Sequence, residues 1–166
     1  MTRLEIALAG LRSAREYTRG LLAGVDDADW FRQPSEGVTH IAWQVGHLAI
    51  AEYRLSLAQL RGMRPDDERF VPPDYVTLFG RGSEPSADES RYPSPGELRG
   101  VLDSVHEHVL AELPSYPDVQ LDLPPEREHP LCKTKLACIE WCARHEMLHG
   151  GQIGLLKRLL GKKPVW

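Results

Sequence analysis

Apolar residues recur at helical spacing in four separate stretches of the chain. In the first, Leu4, Leu8, Leu11, Ala14, Tyr17 and Leu21 predict a helix from about residue 4 to 23, closed by Gly24 and Asp26-Asp27. The second runs from Thr39, a plausible N-cap, to Arg61 and stops at Gly62. Its apolar residues (Ile41, Trp43, Val45, Leu48, Ile50, Leu55 and Leu57) wrap more than half the circumference, which predicts burial on more than one side. The third has the clearest start: Ser94-Pro95-Gly96-Glu97 puts Ser at N-cap, Pro at N1 and Glu at N3. Leu98, Val101, Leu102, Val105, Val109 and Leu113 form its stripe, and Pro114 and Pro117 end it. The fourth spans about Thr134 to Leu160, ended by Gly161 and Pro164, with Lys157, Arg158, Lys162 and Lys163 near its C-terminus.

The connections carry no period. Residues 26–39 are irregular, and Trp30-Phe31 are expected to cover one end of the core. Residues 62–93 and 114–133 read as long loops rich in proline. A helix of about 23 residues is about 34 Å long. A loop the length of 62–93 can cross that distance and come back, so the third helix need not run antiparallel to the second. Four helices and no credible strand predict an all-α bundle, with residues 1–166 as a single domain.

Composition narrows the function classes. Hydrophobic content is 42% and charged content 27%, ordinary for a globular protein. The net charge of −4 gives nucleic-acid binding no electrostatic support. No apolar run is long enough to span a membrane. The first residues enter an amphipathic pattern directly, without the layout of a signal peptide, so a cytoplasmic location is expected. Cys132, Cys138 and Cys142 read as reduced, mostly buried thiols, because Cys138 and Cys142 are poorly placed for a disulfide.

The chemistry concentrates in Arg144-His145-Glu146-Met147-Leu148-His149-Gly150-Gly151-Gln152-Ile153. On a helix, His145 and His149 project from one face as neighbours. Angles place them in the middle of the apolar face, between Cys138, Cys142 and Leu156 on one side and Trp141, Leu148 and Gln152 on the other. His47 occupies a similar setting in Trp43-Gln44-Val45-Gly46-His47-Leu48. A buried histidine needs partners for both ring nitrogens, and nearby acidic residues are few. One cation would satisfy all three rings, whereas a set of separately hydrogen-bonded core histidines is the other reading. The thiols of Cys138 and Cys142 are expected to be core residues, and His40, His106, His108 and His129 surface or loop residues. Glu146 points about 100° from His145 and is given no catalytic role. Gly150-Gly151 suggests a close backbone approach next to the site within a continuous or slightly bent helix.

These motifs together resemble the DinB-like (YfiT) family: a His inside the apolar second helix, then His145-Glu146-Met147-Leu148-His149-Gly150-Gly151-Gln152-Ile153. The resemblance implies a four-helix bundle with an up-down-down-up path and a long crossover between the second and third helices. It implies that His47, His145 and His149 bind a divalent metal, nickel or zinc, and that the chain forms a homodimer. It also implies a link to S-transferases and isomerases that use low-molecular-weight thiols, with loops 62–93 and 114–133 lining the pocket.

Three histidines from two helices leave coordination positions open, as catalytic sites do. The expected activity is therefore a metal-dependent activation of a thiol or water on a small substrate, of S-transferase or hydrolase type. A non-catalytic metal-binding or sensing bundle is the alternative. Trp43 and Trp141 are candidate pocket walls, and Gln44, Arg54 and Gln152 candidate polar contacts. No residue identifies itself as general base.

Overall fold

The computed structural model describes residues 1–163 and is all-helical, with no strand among them. Four long helical segments carry the fold. They are α1 (Arg3–Leu22), the rod that begins with α2 (Ile41–Glu52), α5 (Pro95–Glu112) and α6 (Lys135–Leu159). The α2 rod continues through a π-helical stretch, Tyr53–Ala58, into a last turn, α3 (Gln59–Arg61). The short helix α4 (Tyr75–Phe79) lies between α3 and α5. Among the described residues no helix is long and apolar enough to cross a membrane. Pro164, the expected stop signal after the last helix, lies outside the described residues.

Local chemistry sets the helix starts. Ser94 and Glu97 form the capping box read from the sequence, and Thr134 caps α6. Thr2 and Glu5 make a second capping box at α1. The start of α2 corrects the sequence reading: the cap is His40, not Thr39, and α2 begins at Ile41. His40 Nδ1 accepts the Trp43 backbone N–H at 3.0 Å, and its Nε2 lies 3.0 Å from the Ser86 carbonyl. An imidazole with one acceptor and one donor nitrogen satisfies both partners, and that explains its full burial.

Residues 62–93 are more ordered than their lack of period suggests. They hold a 3-10 turn at Pro65–Arg69, helix α4 and a further turn at Glu89–Arg91. Tyr75 and Phe79 of α4 are buried against the main core. Gly46 of α2 admits that contact, because a Cβ there would stand 2.5 Å from the Phe79 ring. Gly150 does the same for α1 against α6: its Cβ would come within 2.8 Å of the Tyr17 ring. The close backbone approach expected at Gly150-Gly151 is thus present at Gly150, where the approaching element is α1. Gly150 seats α1, and Gly151 faces open space.

The long segments are tied by one buried ionic cluster. Arg15 of α1 is wholly buried. It donates to Glu52 at 2.7 Å, to Glu146 at 2.8 Å and to the Leu102 carbonyl at 2.6 Å. Its partners lie on α2, α6 and α5. Burial works against the guanidinium charge, but the two carboxylates outweigh it and hold the pKa above its ordinary value. The second oxygen of Glu52 lies 2.7 Å from His106 Nδ1. His106 is therefore a core residue, contrary to the surface or loop placement expected for it, and His40 lies in the connection before α2 but is buried there. His108 is exposed and His129 sits in a loop. Trp30 and Phe31 are buried, and the three cysteines are free and buried.

Replacing Arg15 with Met strands two carboxylates in the core. The expected cost is about 3–5 kcal/mol, read from denaturant unfolding at an unchanged slope. A loss of only about 0–1 kcal/mol, the range of a surface pair, would show that the cluster does not tie the helices.

Burial pushes His40 down from 6.5 to about 4. The unfolded chain takes up this proton first as pH falls, so the stabilisation is full above 6.5 and is lost toward 4. Metal-free protein should lose on the order of 2 kcal/mol more over that window than a His40→Asn variant, measured by unfolding across pH. Parallel curves for the two proteins would contradict this role.

Candidate metal centre

The site is built by α2 and α6. His47 projects from α2, and His145 and His149 project from successive turns of α6. One candidate ligand nitrogen from each ring lies within 4.8 Å of the others. Ring centroids are 5.3 Å apart for His47 and His145, 4.6 Å for His47 and His149, and 4.5 Å for His145 and His149. All three side chains are half-buried.

Two of the rings are oriented from behind. His47 Nδ1 donates to the Phe79 backbone carbonyl at 2.7 Å. His149 Nδ1 donates to Gln44 Oε1 at 2.5 Å, and Gln44 Nε2 passes the chain on to Gln152 Oε1 at 2.9 Å. A neutral ring that donates through Nδ1 has its lone pair on Nε2, the state in which imidazole coordinates a metal. His145 has no hydrogen-bond partner among the described residues, and its ring meets those of His47, His149 and Trp141.

Electrostatics keep the rings unprotonated. Burial lowers the pKa of all three, to about 4 for His145 and about 3 for His149. Mutual repulsion among the rings adds to this for His145 and His149. For His47 the carbonyl of Phe79 opposes the shift, and the charge of Arg54 adds to it. Three neutral nitrogen donors converging on one point suit a borderline divalent cation.

The remaining expected residues fall around this cluster. Trp43 stacks on His47 at 4.8 Å, nearly parallel, and its indole N–H donates to Ser83 Oγ at 2.8 Å. Trp141 stands 6.4 Å from His145. Arg54 is exposed and reaches His47 through its charge alone. Gln44 and Gln152 bond to each other, and Gln44 is also the acceptor for the His149 ring. Residues 62–93 reach the site through Phe79 and Ser83. His129, within residues 114–133, is near enough for its protonated form to disfavour protonation of His145.

One expectation is corrected. The histidines sit at the edge of the buried face of α6, not in its middle. Ile139, Cys142, Glu146 and Ile153 occupy the middle, while Leu148 is 58% exposed. Glu146 can sit there because Arg15 neutralises it. Cys138 and Cys142 are core residues as expected, and burial holds both thiols above their ordinary pKa. Phe79 could not be picked out as a partner from its residue type, because it acts through a backbone carbonyl.

Comparison with known proteins adds one positive finding. No curated protein matches the chain. A family model, that of the DinB superfamily, matches residues 11–153, a span that includes His47, His145 and His149. Because that match covers most of the chain, the chain belongs to the DinB superfamily.

Proposed function

We propose that His47, His145 and His149 hold one divalent metal ion, nickel or zinc, at the centre of a metal-dependent enzyme that activates a thiol or water against a small substrate. The observation that carries this reading is the convergence of three neutral imidazoles, two of them with Nδ1 engaged and Nε2 free. A metal ion in such a site lowers the pKa of a bound water or thiol, supplying a nucleophile near neutral pH. The chain itself positions the donors and shapes the surroundings. Trp43 and Trp141 offer flat apolar walls, and the exposed Arg54 attracts an anionic substrate. A low-molecular-weight thiol fits this description as co-substrate.

The wider architecture belongs to the same proposal: one domain, a four-helix bundle with an up-down-down-up path. Contacts at near-constant offset support parallel α1 and α6: Gly10 with Ala143, Arg15 with Glu146, Gly150 with Tyr17 and Gly154 with Leu21. Glu52 with His106 and Arg61 with Glu112 support the α2 rod running parallel to α5. An exposed apolar strip on α6, Leu148, Leu155 and Leu159, supports a homodimer. The free buried thiols support a reducing, cytoplasmic compartment.

Protein purified without a histidine tag is expected to carry about one metal ion per chain, and a His149→Ala variant almost none. Equal metal content by elemental analysis would overturn the site. The metal-loaded protein should turn over a thiol with a small electrophile, or hydrolyse one. Tight metal binding with neither activity would reassign the chain to binding or sensing.

Gln44→Leu removes the acceptor behind His149 while keeping size. Metal affinity should fall about 10–100-fold, measured by competition with a chromophoric chelator. An unchanged affinity would remove Gln44 from the centre.

A further inference from the structure

The turn that follows α4 touches the histidine centre twice. Phe79, the last residue of α4, offers its backbone carbonyl to His47 Nδ1 at 2.7 Å. The chain then turns through residues 80–83, closed by the Ser83 N–H on the Gly80 carbonyl at 3.1 Å. The third residue of that turn, Gly82, has a φ of 90°, a value that favours glycine. The Ser83 hydroxyl donates its one proton to the Gly80 carbonyl at 2.8 Å. Its oxygen is left as an acceptor, and the Trp43 indole N–H meets it at 2.8 Å.

Trp43 carries that hold to a candidate ligand. It lies one helical turn before His47 on α2, so the two side chains are neighbours. Their rings stack at 4.8 Å between centroids, with 9° between the planes. Stacked rings have several offset arrangements of similar energy. The hydrogen bond at the edge of the indole selects one of them, the arrangement in which its face covers the imidazole.

The stack has a chemical consequence. A metal ion draws electron density from an imidazole that it binds and leaves the ring partly cationic. Among aromatic side chains, an indole face attracts positive charge most strongly. Trp43 in this position therefore favours the metal-bound form of His47 over the metal-free form, and adds to affinity as well as to shape.

We infer that Ser83 is a positioning residue of the metal centre, acting through Trp43 by holding the indole flat against His47. This role rests on the three histidines holding a metal ion, as proposed above.

A double-mutant cycle tests the role, with zinc affinity read by competition with a chromophoric chelator. Trp43→Leu should weaken zinc about fivefold and Ser83→Ala about threefold. Adding Ser83→Ala to Trp43→Leu should cost nothing further. If Ser83 worked instead by bracing the turn behind the Phe79 carbonyl, the two losses would multiply, and the role would be overturned. A Ser83→Ala affinity equal to that of the unmodified chain would overturn it as well. NMR of the metal-free proteins gives a reading independent of zinc. The indole should shift the His47 ring protons upfield, and Ser83→Ala should reduce that shift without moving the His145 ring protons. An unchanged His47 shift in Ser83→Ala overturns the positioning whether or not zinc binds. An unmodified chain that binds no zinc, while its His47 shift still responds to Ser83→Ala, overturns the histidine centre itself, and this role falls with it.

Discussion

One guanidinium holds the long helices in register. Arg15 is a planar fork of donors in the middle of α1, and each branch meets a different element: Glu52 on α2, the Leu102 carbonyl on α5 and Glu146 on α6. Apolar side chains tolerate small slides between helices, but directed hydrogen bonds to a rigid fork do not. Glu52 lies five residues beyond His47, and Glu146 directly follows His145. The cluster that fixes the helices therefore also fixes how the three imidazoles meet. Such a buried pair is costly to desolvate, and its value lies in the arrangement it selects more than in net stability.

The centre is layered outward from its nitrogens. The rings are held by one backbone carbonyl and one side-chain amide, and the amide is held in turn by Gln152. Neither acceptor carries a charge. The donor set therefore stays neutral, which leaves the full charge of a bound cation to act on whatever approaches.

Much of this was legible in the chain, for identifiable reasons. Helix positions followed from apolar spacing, and the Ser94-Pro95-Gly96-Glu97 start from local capping chemistry. The histidine trio stood out because two of its members are one turn apart on an otherwise apolar segment. The failures share a cause. Arg15 and Glu146 drew no core reading, and His40 and His106 read as surface or loop residues, yet each is buried because a partner distant in sequence satisfies it. Glu146 in turn displaced the inferred centre of the buried face. The order within residues 62–93 was hidden because α4 is too short to show a period and is held by packing on α2.

Position 46 shows how far a small feature reaches. With no side chain there, the Phe79 ring lies flat against the α2 backbone, and its carbonyl stands ready for the neighbouring imidazole. That carbonyl claims the hydrogen on Nδ1 and leaves the opposite nitrogen bare. One absent methyl group thus settles where a proton resides and which edge of an aromatic ring is left to face a cation.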